Sequence, residues 1–434
     1  MLKWLKIIFV AIAFSMYFFP FEFTFFPGVN TKMAMAGLGV VFVIVALARQ
    51  RGFIIPKSIF FILVLSSLVS IVALFSITFN RTEDYSYVGY IISASVWLSA
   101  AYVVCCFIKI AHGRVDIPLI VNYLTGVCVA QCGIALAVEF IPSVKAVVDA
   151  YIYGQNLFDE LDRLYGIGAA LDVAGLRFSL TLVCISAMIY YHGGSMGVGK
   201  LVFLVISFFI ISIVGNMIAR TTTVGLAVGL IFLTLAYLRP YRRVSKTSMG
   251  RFFSGVGIMV AVLVVSVFLY NSIPVVHKML RFAFEGFFSL YETGQWEVSS
   301  NEKLQTMVVF PDNLKTWIVG DGYFLNSRYD INYLGNATEL GFYMGTDIGY
   351  LRFIFYFGLL GLVAVLLLFI YTAVFCVNSM PEYKFMFVLS LVVGLLVWLK
   401  VATDVFLIFA LFVCVIEMNK EEENEDNLLH SGVL

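Results

Sequence analysis

Three arginines stand where apolar runs meet polar sequence: Arg177 in Leu176-Arg-Phe-Ser179, Arg220 in Asn216-Met-Ile-Ala-Arg-Thr-Thr-Thr223, and Arg352 at the end of Gly345-Thr-Asp-Ile-Gly-Tyr-Leu-Arg352. A guanidinium keeps its charge at any accessible pH and its fork matches phosphate oxygens in a bidentate way. Ionisable groups at the ends of membrane segments are expensive to place, so they are functional candidates by default. Three of them at one membrane face would form an anion site where a lipid diphosphate sits. The plainer reading of each is a structural ion pair or a snorkelling side chain. The strongest local signal is Gly320-Asp-Gly-Tyr-Phe-Leu-Asn-Ser-Arg328, followed by Gly345 to Arg352. Its glycines let backbone approach a ligand closely. Asp347, Glu339 and Asp321 are the carboxylates placed for acid–base work, and Asp347 also fits the N-cap of the helix that follows. Arg352 comes five residues after Asp347, which excludes an i, i+4 pair and calls for another partner. Arg281, Arg328, Tyr350 and Tyr323 complete the candidate substrate- and diphosphate-binding set.

Other chemistries lack their residues. The four histidines, His112, His192, His277 and His430, are too scattered for a zinc site. There is no phosphate-cradling P-loop and no Gly-x-Ser-x-Gly elbow. The run Asp159-Glu-Leu-Asp162 is too small an oxygen cage for a firmly held divalent cation. No metal and no cofactor is expected. Lys plus Arg (28) nearly cancels Asp plus Glu (27), so no basic surplus exists to hold nucleic acid.

The elements that must position these residues follow from hydropathy. Of the 434 residues, 61% are apolar and 13% charged, and the mean hydropathy is +0.97. A soluble domain carries about 25% charged residues, so the fold class is an all-α polytopic membrane protein. Windows of about 20 apolar residues centre on 7–26, 33–48, 58–79, 88–110, 117–141, 174–191, 201–217, 223–238, 252–272, 348–375, 384–399 and 402–418, about twelve spans. With a cytoplasmic N-terminus, the inside segments collect Lys3, Lys6, Arg49, Arg51, Lys57, Lys109, Arg114, Lys200, the cluster Arg239 to Arg251, Lys384 and Lys420. Short outside loops hold only Lys32, Arg81, Arg220 and Lys400, an asymmetry that fixes the orientation with both termini cytoplasmic.

The expected organisation is one transmembrane domain over 1–418 with two long outside loops, 142–173 and 273–347, and an acidic, disordered cytoplasmic tail over 419–434. An amphipathic helix near 278–292 should lie in the interface, with Arg281 and Glu285 paired at i, i+4. The stretch from Lys3 to Phe26 reads as a retained span rather than a cleaved signal. All seven cysteines lie in apolar runs, where small packing residues are the simplest reading, Cys128 and Cys132 included. Loop aromatics such as Tyr151, Tyr153, Trp296 and Tyr323 suit sugar stacking or interfacial anchoring.

The passage Ile318-Val-Gly-Asp-Gly-Tyr-Phe324, the passage from Thr346 to Gly361, Leu176-Arg-Phe-Ser179 and Ala219-Arg-Thr-Thr222 together resemble the Wzy-type O-antigen polymerases of Gram-negative bacteria. The likeness in topology covers nearly the whole chain, and the specific motif about 40 residues. The resemblance implies a GT-C-like, metal-independent glycosyltransferase at the periplasmic face of the inner membrane. Its partners would be undecaprenyl-diphosphate-linked glycan as donor, a lipid-linked repeat unit as acceptor, membrane lipids and a chain-length regulator protein. Arg177, Arg220 and Arg352 would stabilise the leaving diphosphate, and Asp347, Glu339 or Asp321 would take the acceptor proton. Two departures stand out. The Arg followed eleven positions later by Gly, found in large external loops of some members, occurs only as Arg239 and Gly250, on the expected cytoplasmic side. The related ligases carry a late-loop His, whereas residues 300–347 contain none, which favours polymerase over ligase. A lipid-linked oligosaccharide flippase or polysaccharide transporter is the alternative from another class.

Overall fold

The computed structural model describes residues 2–49, 55–154, 163–238, 267–268, 270–326 and 341–430. The α-helices are α1 Leu2–Phe18, α2 Thr31–Arg49, α3 Lys57–Asn80, α4 Tyr90–His112, α5 Ile117–Phe140, α6 Pro142–Tyr151, α7 Leu171–His192, α8 Val198–Ile218, α9 Thr222–Leu238, α10 Pro274–Ala283, α11 Glu285–Thr293, α12 Ser299–Thr306, α13 Leu314–Val319, α14 Gly349–Ser379, α15 Lys384–Val397 and α16 Phe406–His430. Among the described residues there are isolated β-bridges but no strand. Among the described residues six helices, α3, α4, α5, α7, α8 and α14, are long and apolar enough to cross a membrane, which makes this a multi-pass, membrane-capable helical protein. The expected span at 252–272 lies almost wholly outside the described residues.

Local chemistry sets several boundaries. Asp116 caps α5 by accepting from the Leu119 N–H at 2.8 Å, with Pro118 in the first turn. The first helix stops at Phe18, short of the expected 26, because Pro20 cannot continue it. The chain then turns, and Phe23 bridges Ile152. The expected interfacial helix is two helices, α10 and α11, broken at Phe284 (φ −120°, ψ 30°). The acidic tail is also different: α16 runs on to His430. Glu and Lys are good helix formers, and Lys420 pairs with Glu417 at 3.1 Å on that helix, so a nucleus already formed by the apolar half propagates.

Two compact units emerge. The first comprises Met1–Met35 and Cys106–Glu297. Its centre is α7, where every residue from Ala174 to Met188 is buried among α5, α8 and α9. The Ser179 hydroxyl ties α7 to the start of α9, donating to Thr221 O at 2.9 Å and accepting from Gly225 N at 3.0 Å. That contact fixes the turn that carries Arg220.

The second unit comprises Ala36–Cys105 and Val298–Leu434, and α14 is its axis. The helical path of α14 breaks at Phe357 (φ −136°, ψ 18°) and Gly358 (φ 68°, ψ −169°). The second pair of angles belongs to a region that essentially only glycine occupies, and a Cβ at Gly358 would run into the Ile318 carbonyl. Carbonyls freed by the break must find donors in an apolar setting. Phe355 O accepts from Asp321 N at 2.6 Å and Tyr356 O from Gly322 N at 3.0 Å. The buried Ser76 hydroxyl gives Tyr356 O a second bond at 2.7 Å. The docked segment is itself pinned to the end of α3 and the loop that follows, by Asn80 Nδ2 on Gly320 O at 3.1 Å and by Thr82 Oγ1 on Gly322 O at 2.9 Å.

Candidate functional site

In the second unit, the short helical piece before the break carries Arg352. Its Nη1 pairs with Asp347 Oδ1 at 3.1 Å, and its side chain is 7% exposed. Nη2 reaches Phe324 O at 3.4 Å. The guanidinium carbon lies 3.7 Å from the Phe324 ring centroid and 4.4 Å from that of Phe342, so rings as well as a carboxylate compensate a desolvated charge. Nε is buried with no hydrogen bond to any described residue. The expectation that Asp347 could not pair with Arg352 is thereby corrected. The i, i+4 rule applies inside a helix, and Asp347 precedes α14, whose N-cap is Ile348 without a side-chain bond. Asp347 is therefore not the N-cap either.

Asp84 holds the partner loop of Arg352 in place. Its Oδ2 accepts from Phe324 N at 2.7 Å and Leu325 N at 3.0 Å. The Tyr356 hydroxyl donates to Asp84 O at 2.7 Å and accepts from Tyr87 N at 3.2 Å. Nearby, Tyr90 donates to Asp404 Oδ2 at 3.3 Å, and Asp404 Oδ1 accepts from Phe406 N at 2.8 Å at the start of α16.

Asp321, the second candidate base, is engaged by Lys315 Nζ at 2.7 Å, Thr316 Oγ1 at 2.6 Å and the Tyr343 hydroxyl at 3.3 Å. Tyr323 is buried and stacks on Tyr343, with centroids 5.3 Å apart, in a cluster with Ile348, Leu351 and Phe355. Tyr350 donates to Leu395 O at 2.9 Å. Glu339 and Arg328 lie outside the described residues, as does the run Asp159 to Asp162.

In the first unit, Arg177 is buried in α7, with Nη1 3.5 Å from Gly168 O and its guanidinium 5.6 Å from the Phe19 ring. Arg220 pairs with Glu285 and lies 4.1 Å from the Phe282 ring. Arg163 lies 5.2 Å from the same ring. Burial pushes the Arg220 pKa below its ordinary value, Glu285 opposes that shift, and Arg163 adds to it. Asp172 accepts from the Thr221 hydroxyl and so ties the start of α7 to the Arg220 turn. Arg177 and Arg220 thus share a unit but meet different partners, and Arg352 belongs to the other unit.

The expected Arg281–Glu285 pair does not form. Arg281 makes two 2.7 Å bonds to Glu292 instead, because the break at Phe284 turns Glu285 toward Arg220. Glu292 holds the Arg281 pKa above its ordinary value, and Arg281 holds the Glu292 carboxyl below its own. Sequence reasoning missed Asp84, Tyr87, Tyr90, Arg163, Phe282, Tyr356 and Asp404. Asp84, in Glu83-Asp-Tyr-Ser-Tyr87 between two apolar runs, was the one with a visible signal, an acid among tyrosines in a short loop.

The chain matches no known protein family, no curated protein and no solved structure.

Proposed function

We propose that the protein is a membrane glycosyltransferase that polymerises undecaprenyl-diphosphate-linked repeat units at the outer face of a bacterial inner membrane. In this reading the chain crosses about twelve times with both termini cytoplasmic. The observation that supports it best is the pairing of buried Arg352 with half-buried Asp347 at the beginning of an interrupted apolar helix. A desolvated guanidinium beside a carboxylate supplies both components that glycosyl transfer from a lipid diphosphate needs. The cation stabilises the leaving diphosphate, and the carboxylate takes the proton of the attacking hydroxyl. Diphosphate oxygens would replace Asp347 on Arg352 and release that carboxylate as the base. Arg220, with Arg163 on the same ring, is a second place where anionic substrate could be held.

The test is complementation of a null strain. Arg352→Ala, expressed at wild-type level, should leave lipopolysaccharide with a single repeat unit, and a ladder of normal length refutes the assignment. The break in α14 also fits a second reading, a lipid-linked oligosaccharide transporter, since transporters place sites at interrupted helices. Substrate crossing proteoliposome membranes without glycan lengthening would decide for it.

A further inference from the structure

In the second unit, Tyr87 is surrounded by aromatic rings. Its ring centroid lies 5.9 Å from that of Tyr90, 5.1 Å from Phe324, 5.6 Å from Phe353, 5.6 Å from Tyr356 and 5.5 Å from Phe357. Its backbone N–H is bound by the Tyr356 hydroxyl. Yet its own hydroxyl makes no hydrogen bond to any described residue. Tyr87 is half-buried, so its hydroxyl is open to a partner from outside the protein. Burial raises the Tyr87 pKa, the charge of Asp404 raises it further, and Arg352 pulls it down. The ring geometry agrees with a position between those charges: Phe324 is shared with Arg352, and the neighbouring Tyr90 bonds Asp404. Two polar atoms of this unit, Arg352 Nε and Thr403 Oγ1, are buried without a hydrogen bond to described residues. Such groups in a native structure call for an explanation.

We propose that Tyr87 is a ligand-contacting residue whose hydroxyl binds a sugar oxygen next to the phosphate held at Arg352. This rests on the reading of Arg352 as an anion site, and it makes the ligand of this unit a sugar joined to phosphate rather than a bare lipid diphosphate. The phenol both donates and accepts, which suits a sugar hydroxyl. Five rings fix its position, so little order is lost when the ligand arrives.

The experiment uses the full chain in detergent micelles with two probes, a prenyl diphosphate and the same prenyl diphosphate bearing one sugar, with affinities read by thermal shift. Tyr87→Phe should bind the glycosylated probe about tenfold more weakly, the effect of one lost hydrogen bond, and the bare diphosphate within about twofold of wild type. Its melting temperature should not fall, because the hydroxyl has no partner to lose among the described residues. Tyr356→Phe, which removes two internal bonds, should lower the melting temperature and serves as the structural comparison. If Tyr87→Phe binds both probes like wild type, or weakens on both equally, the role of Tyr87 is overturned while the anion site stands. If wild type binds neither probe, the anion site is overturned and Tyr87 with it.

Discussion

Neutralising Asp347 and Arg352, singly and together, measures what ties the carboxylate to the guanidinium. Their separation is 3.1 Å, and the side chains keep 21% and 7% of their surface exposed. Coulomb's law gives about 5 kcal/mol at that distance for the effective dielectric of a protein, and about 1.3 kcal/mol in bulk water. The half-open carboxylate puts the coupling between these limits, at about 2–3 kcal/mol. Asp347→Asn leaves a desolvated cation without its counter-charge, which costs about 3 kcal/mol or more. Arg352→Gln loses the pair and also the stacking on Phe324 and Phe342, for about 3–4 kcal/mol. The double variant should then cost less than the sum of the singles by the coupling energy. Equilibrium unfolding in mixed micelles, followed by far-ultraviolet circular dichroism, gives all four corners of the cycle. A coupling below about 0.5 kcal/mol would refute the argument that burial makes this pair count, since exposed pairs reach that value too.

Gly358→Ala should lower stability by about 3 kcal/mol or more, because strain at positive φ adds to a backbone clash with Ile318, and thermal unfolding in micelles checks it. Phe282→Leu should cost about 1 kcal/mol through the contact with Arg220, while Phe282→Trp restores it, as the same assay reads. The Arg281–Glu292 pair has a depressed carboxyl pKa, so its contribution is present above the ordinary carboxylate value of 4.5 and is lost as pH falls through the lower folded value. Proteolysis across α10 and α11 should therefore stay slow at pH 4.5 and quicken below it, and Glu292→Gln should remove that dependence.

Much of the helical framework is legible in the chain. Uninterrupted apolar runs such as Lys57–Asn80 and Val198–Ile218 appear as helices because hydropathy and length add up residue by residue along one segment. The arginines at helix ends are legible for the same reason, as charge among apolar neighbours. The break in α14 is not, since Phe353 to Gly361 is as apolar as the residues around it and Gly358 is one glycine of 34. What opens the helix there is the docking of residues 318–322, which supply the donors. The tail illustrates the opposite error: its composition suggests disorder, while the apolar turns before it hold it as helix.

The sequence by itself determined that this is a helical membrane-capable protein and which few cations sit at the ends of its helices, because desolvation cost is a property of each residue and its near neighbours. Only the tertiary structure decided which acid each arginine meets. Glu285 reaches Arg220 across 65 positions, and Asp84 holds the loop beside Arg352 across 240. A buried guanidinium must be compensated by whatever packing brings within a few ångströms, and sequence spacing carries no record of that distance.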